Sequence, residues 1–317
     1  MSSESEIDWS IFDRRYPVRD GIVMALEKEL DYDVAPNLEA RSFFDVHSEV
    51  MKGREGQAFL NDKAAMARLQ KEFYDRMAVG FQHMDDEDIK HGGVFWWKIW
   101  RIARYDEKHF AKPRVLFVGA GNCRIARIYA QMGYDVVATD ISVNMLKEGK
   151  SVNDRLKVKM TYVAANAELG YPFKSEVFDT AYSSCVMNHI VDWRNYISEK
   201  MRCLKKGRIL FERLPNASKW SFWRLQGELY EGVEIKAKYC SPDTVREFLD
   251  SVGLQAKVWT HDRQTNIDAF RIGNLPGNVR VKVSKILYDL RSRFEDNVLL
   301  CVHDDSSGIY TLFKIVK

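Results

Sequence analysis

The sequence predicts an α/β fold built on a mostly parallel sheet, and three observations carry that prediction. The run Arg114 to Val118 is apolar and of strand length, breaks at Gly119-Ala120-Gly121, and continues with Ile125, Ile128, Tyr129 and Met132 at helical spacing. A second apolar run, Tyr134 to Thr139, ends in the acid Asp140 about twenty residues after the glycines. Strand patterns then keep alternating with helical ones as far as Arg213, and that rhythm means parallel strands whose connecting helices cover both faces of a sheet.

At 317 residues the chain has room for one large domain or two smaller ones around a sizeable core. Its composition, 46% hydrophobic and 29% charged, is that of an ordinary globular protein. No stretch approaches the about eighteen apolar residues of a membrane span. The polar, acidic start at Met1 to Glu6 is unlike a leader peptide, so a cytoplasmic protein is expected. A net charge of +3 does not point to nucleic acid, which needs Lys and Arg clustered on one face. The densest basic run, Arg280 to Arg293, interleaves Val281, Val283, Ile286, Leu287 and Leu290 and reads as one face of an amphipathic helix. Cys123, Cys185, Cys203, Cys240 and Cys301 are widely separated, which supports neither a metal site nor a disulfide framework.

Residues 1–110 read as a helical N-terminal extension or cap, and residues 111–317 as the sheet domain. Within the cap, Gly21 to Leu30, Asn61 to Met77 and Gly93 to Arg104 place apolar residues three and four apart, with no strand-like alternation. Leu69, Phe73, Met77 and Phe81 form a core stripe, whereas Tyr74 and Arg76 project from another face that could close over a ligand. The aromatic stretch Trp96-Trp97-Lys98-Ile99-Trp100 reads as a helix buried between cap and sheet. In the sheet domain, Ser142 caps a helix to Lys150, and Val158 to Ala164 is a strand leading to Asn166-Ala167-Glu168. Phe178 to Ser184 is the next strand, followed by a loop with Cys185 and His189 and a helix from Trp193 to Leu204. Lys205-Lys206-Gly207 reads as the stop of that helix before the strand Arg208 to Arg213. A helix from Ser241-Pro242-Asp243 to Val252, a strand from Leu254 to Thr260 and a last strand ending at Val316 complete the pattern. Insertions fall near 215–240 and 262–300. The last strand follows a turn, Asp304 to Gly308, with no helix between, so it is expected to enter the sheet antiparallel to its neighbours.

The glycine turn and Asp140 together describe a nucleoside-binding crevice, because glycines admit a ligand close to the backbone and an acid at that point accepts from ribose hydroxyls. Arg124 stands where a dinucleotide fingerprint needs Gly or Ala, which disfavours a dehydrogenase.

From about Pro113 to Lys317 the chain resembles the class I S-adenosylmethionine-dependent methyltransferases, and most closely their small-molecule branch. Four ordered pieces carry the resemblance. They are Val118-Gly119-Ala120-Gly121-Asn122, the acid in Ala138-Thr139-Asp140-Ile141-Ser142, the run from Asn166-Ala167-Glu168 through Pro172-Phe173 to Phe178-Asp179, and the joint Leu204 to Leu210. The resemblance implies a Rossmann-like seven-stranded, mostly parallel sheet and S-adenosylmethionine as cofactor. It implies that Gly119, Ala120 and Gly121 lie against the amino acid part of the cofactor and that Asp140 accepts both ribose hydroxyls. Ile141 would pack on adenine, Asn166 would accept from the adenine amino group where the family usually has Asp, and Ala167 would donate a backbone N–H. Cys185 would lie beneath the methionine portion. Phe117 stands where the family often has an acid, which bears on the water-mediated contact with the cofactor's ammonium group, and Cys123 replaces a small residue.

Methyl transfer is an in-line displacement, so alignment and exclusion of water carry most of it. A hydroxyl acceptor also needs a base, and His189 in the loop after the fourth strand is the candidate, with a loop-closing hydrogen bond as its alternative role. The acceptor site is expected between the cap and the segment after the fifth strand, where Tyr74, Arg213, Trp220 and Trp223 are candidate substrate residues beside His189. The expected activity is transfer of a methyl group to N or O of a small metabolite by a monomer or homodimer. RNA or protein methylation is an alternative, although the motifs for exocyclic amines and pyrimidine carbon are missing. A non-catalytic cofactor-binding subunit that holds a partner is a third.

Overall fold

The computed structural model describes residues 7–39, 62–91, 103–106, 108–110, 113–215, 242–261 and 310–317. Among these residues the elements are β1 (Val18–Arg19), β2 (Ile22–Met24), α1 (Lys63–His91), β3 (Arg114–Val118), α2 (Arg124–Gln131), β4 (Asp135–Asp140) and α3 (Val143–Arg155). There follow β5 (Thr161–Ala164), β6 (Phe178–Ser184), α4 (Trp193–Cys203), β7 (Leu204–Pro215), α5 (Pro242–Ser251), β8 (Gln255–His261) and β9 (Tyr310–Val316).

The strands form one sheet in the order β1-β2-β5-β4-β3-β6-β7-β9-β8. From β5 to β7 every neighbouring pair is parallel, and β9 runs antiparallel to both β7 and β8, as the sequence led one to expect. Among the described residues nine strands stand where seven were expected, because the helical reading of Gly21 to Leu30 is overturned. Ile22–Met24 pairs parallel with β5 through Tyr162, Val163 and Ala164, and Val18–Arg19 folds back on it. The tight turn between them uses Asp20 and Gly21, both at positive φ. All three β2 residues are buried, and a strand covered on both faces shows no alternation to read.

Alternation along the core strands sorts their side chains onto two faces. Leu116, Val118, Val137, Val163, Ala181 and Leu210 face α4 and α5, where Trp193, Tyr196, Val245 and Leu249 pack. Val115, Phe117, Val136, Ala138, Tyr162 and Phe211 face α2 and α3 through Ala126, Tyr129 and Leu146. Each face buries its apolar set, which is the main source of stability for such a layer arrangement.

Gly207 does not end α4. The helix stops at Cys203, and the chain enters β7 at Leu204, so Gly207 at φ +69 lies within the strand. The β6–β7 register slips there, with Phe178 opposite Leu204 but Thr180 opposite Ile209, so the extra residues of β7 form a bulge. Beneath that joint Lys200 and Glu212, both fully buried, form an ion pair that Ser183 shares. Each ion is desolvated and has the other as its partner, so removing either one leaves a buried charge.

The stretch Trp96 to Trp100, the segment 216–230, the basic run Arg280 to Arg293 and the turn Asp304 to Gly308 lie outside the described residues. No helix among the described residues is long and apolar enough to cross a membrane.

Candidate active site

Parallel strands leave a crevice at their carboxyl ends where the chain order reverses, here between β4 and β6 on either side of β3. A cavity of about 320 Å³ occupies that position. It is lined by the turn after β3, the ends of β4 and β5, the loop after β6, and one face of α1.

The turn is shaped by two glycines in the left-handed region, Gly119 at φ +61 and Gly121 at φ +55. A Cβ on Gly119 would meet Val186 Cγ2 at 2.2 Å, so the loop after β6 packs directly on the bare backbone. A Cβ on Gly121 would find Met145 Cε at 3.7 Å, an ordinary contact, so its need for glycine is conformational. Cys123 also has positive φ, fully buried at the start of α2, and burial pushes its thiol up.

Asp140 ends β4 and is aimed back at the turn. One carboxylate oxygen accepts from Gly121 N at 2.7 Å and the other from Ser142 N at 2.9 Å. Each oxygen keeps a further lone pair, and the residue lines the crevice. Burial raises its pKa to about 6, against the pull of those backbone donors, and nearby Asp75 adds to the rise. Ile141, Asn166 and Ala167 also line the crevice. The Asn166 amide oxygen accepts from Glu168 N at 3.0 Å, and its Nδ2 donates to Glu27 Oε2 at 3.4 Å.

The loop after β6 starts with Cys185 at φ +59, whose N–H donates to Arg213 O at 2.8 Å. Cys185 and His189 face the cavity. His189 Nε2 lies 3.0 Å from Asn188 Nδ2 and 3.3 Å from the Tyr74 hydroxyl of α1. Arg213 does not line the cavity. Its guanidinium donates to Ser184 Oγ at 2.8 Å and approaches Cys185 Sγ at 3.6 Å, so it acts on the loop from behind. Trp220 and Trp223 lie outside the described residues.

Three residues of this site were not picked out from the sequence. Glu168 is buried and clasps the far end of the loop, with Oε2 accepting from Val191 N at 2.8 Å and Oε1 from Asp192 N at 2.7 Å. Burial raises its pKa in spite of those donors. Asp75 of α1 accepts from Ser142 Oγ at 2.6 Å and Asn144 N at 2.9 Å, and from Lys71 Nζ at 2.6 Å. Gln70, one turn before Tyr74 on the same face, lines the crevice with Ala67. The helical pattern did place Tyr74 apart from the buried Phe73 and Met77, but only the long-range contacts reveal the other three.

The site fits a nucleoside cofactor on its own chemistry: a bare glycine backbone, a carboxylate with spare lone pairs beyond it, and an apolar residue with an amide at the neighbouring strand ends. Residues 116–211 match the family model described as a methyltransferase domain. The demethylmenaquinone methyltransferase of Paenarthrobacter aurescens (strain TC1) is 34% identical over 94 residues, 30% of this chain and 35% of that protein. The malonyl-acyl-carrier-protein O-methyltransferase of Salmonella typhimurium (strain LT2) is 32% identical over 96 residues, 30% of this chain and 36% of that protein. The mitochondrial ubiquinone biosynthesis O-methyltransferase of Homo sapiens is 23% identical over 154 residues, 45% of this chain and 42% of that protein. The chain thus spans little more than a third of the length of the first two. Residues 116–211 are thus similar to a methyltransferase domain.

Proposed function

We propose that this protein transfers a methyl group from S-adenosylmethionine to N or O of a small metabolite, with the crevice between the strand ends and α1 as its active site. The observation that carries the reading is the convergence on one cavity of the glycine turn, Asp140, the Asn166-Ala167 pair and the Tyr74–His189 contact.

Bound there, the cofactor supplies an electrophilic methyl on a sulfonium. Gly119, Ala120 and Gly121 let its amino acid part lie against the turn. The spare lone pairs of Asp140 accept the ribose hydroxyls, and Ile141 packs on adenine. Ala167 offers its N–H, and Asn166 presents the second lone pair of an amide oxygen already held by Glu168. Cys185 floors the methionine end.

On the acceptor side α1 keeps water out and Tyr74 fixes the His189 ring. Asn188 Nδ2 and the Tyr74 hydroxyl both lie within hydrogen-bond reach of His189 Nε2 and hold the ring, whose neutral form is the one that takes up a proton. For a hydroxyl acceptor His189 is then the base, whereas an amine that binds neutral needs only alignment. Arg213 acts as a positioning residue behind Cys185, and Trp220 and Trp223 are candidate walls of the acceptor site. We take residues 1–110 as an N-terminal extension whose strands β1 and β2 join the sheet and whose helix α1 forms the cap, and 111–317 as the catalytic domain, acting in the cytoplasm as a monomer or homodimer.

The test is calorimetric titration of wild type and Asp140→Ala with S-adenosylmethionine and with NADH. Micromolar binding of the first, lost in the variant, and none of the second is expected. No binding of S-adenosylmethionine to the wild type would sink the reading.

A further inference from the structure

We infer that Gln70 grips the amino acid end of the cofactor, its amide oxygen accepting from the ammonium group and its amide nitrogen donating to the carboxylate. The inference rests on the proposed cofactor and assigns a binding role to the cap helix.

Gln70 is 6% exposed, and neither its Nε2 nor its Oε1 has a hydrogen-bond partner. Burying an amide in that state is costly, and the group most able to offset the cost is a ligand that both donates and accepts. Gln70 lines the same cavity as the glycine turn and Cys185, the two places where the amino acid portion is expected. It is also held in place. The next residue, Lys71, and Asp75 one turn beyond it are each about 1% exposed, and Asp75 ties α1 to Ser142 and Asn144 at the start of α3.

The second observation concerns what lies beneath the turn. Phe117 precedes it on β3 and points into the sheet core, its ring 4.9 Å from that of Tyr129 and 5.5 Å from that of Tyr182. It is 2% exposed and offers no acceptor to an ammonium group. The strand therefore leaves the amino acid end without a carboxylate from below, and Gln70, its amide buried and without a partner, lines the cavity on the α1 side. An ammonium and a carboxylate on one carbon present the donor and the acceptor that a single primary amide matches.

The test compares two nucleosides by calorimetry. S-adenosylhomocysteine carries the amino acid end, and 5′-methylthioadenosine keeps the adenosine and the sulfur but lacks it. In Gln70→Leu, affinity for the first should fall about 10- to 100-fold, the loss expected when hydrogen bonds to charged groups go unmade, with affinity for the second within about twofold of wild type. The ligand-free thermal midpoint of the variant should equal or exceed that of wild type, because an unpartnered buried amide has been removed. Gln70→Met should behave like Gln70→Leu. An equal loss of both nucleosides, or a lowered midpoint accompanying it, would make Gln70 a structural prop and overturn the inference. Unchanged affinity for S-adenosylhomocysteine would overturn it too, placing the amide toward the acceptor instead. Wild type that binds neither nucleoside would remove the cofactor reading itself, an outcome separate from these.

Discussion

The carboxylate of Asp75 on α1 accepts a hydrogen bond from Ser142 Oγ at 2.6 Å, across 67 residues of sequence. Ser142 is the N-cap of α3, and its Oγ also accepts from Met145 N at 3.1 Å, so the cap helix is tied to the helix that follows Asp140. Asp75 also accepts from Asn144 N in the first turn of α3, where a negative charge is favoured. Asp75→Ala removes these bonds and leaves Lys71 buried without its partner. The expected loss is about 3–5 kcal/mol of unfolding free energy, measured by denaturant titration. Lys71→Met with Asp75→Ala should recover part of it, since the stranded charge is then gone.

Gly119→Ala is expected to be far worse than Gly121→Ala. Both positions have positive φ, a cost of order 1–3 kcal/mol for a residue with Cβ. Only at Gly119 does the new methyl also meet Val186. Adding Val186→Ala to Gly119→Ala should restore part of the stability, and the same addition to Gly121→Ala should restore none. Thermal midpoints of the four variants decide this.

Asp140 makes cofactor affinity depend on pH. Its pKa is raised to about 6 by burial, and the ionised form is the one that accepts two hydroxyls. Affinity for S-adenosylhomocysteine should therefore weaken as pH falls below about 6, and the dependence should flatten in Asp140→Asn. Stability runs the other way. The folded protein holds this proton more tightly than the unfolded chain, so the Asp140 contribution to stability declines as pH rises from about 4 to about 6. Melts across about pH 4 to 7 and calorimetry across about pH 5 to 8 separate the two trends.

Glu168→Ala should loosen the loop after β6 at its Val191 and Asp192 end without touching the glycine turn. The two backbone N–H groups lose their shared acceptor, and His189, two residues before Val191, loses its fixed position. We expect about a tenfold or greater fall in turnover with cofactor affinity changed far less, a split read from kcat against cofactor titration.

His189→Gln should lower turnover about 10² to 10⁴-fold with a hydroxyl acceptor, leaving S-adenosylhomocysteine affinity near wild type. Tyr74→Phe, which removes the hydroxyl contact to His189 Nε2, should cost much less. Equal turnover of wild type and His189→Gln on a hydroxyl acceptor would return His189 to a loop-closing role.

Several parts of this architecture were legible from the chain alone, and each was encoded locally. The strand before Gly119, the acid at Asp140, the cap at Ser142 and the alternation that sorts Leu116 from Phe117 depend on neighbours a few residues away. So does the expectation that β9 enters antiparallel, since it rests on the turn residues Asp304 to Gly308 just before the strand in the sequence. Ile22 to Met24 was misread because a three-residue strand buried on both faces has no period. Gly207 was misread because glycine serves a bulge and a helix stop equally well.

What the sequence by itself determined, then, is the sheet, the turn and the carboxylate beyond it, since hydrophobic period and glycine conformation act at short range. Tertiary structure alone decided what covers them. That Gln70 lines the cavity, that Asp75 caps α3 and that Glu168 clasps Asp192 are bonds between segments 24 to 69 residues apart or contacts made only when α1 docks. A side chain's polarity shows that it needs a partner, but which partner it finds depends on how the folded elements are placed in space.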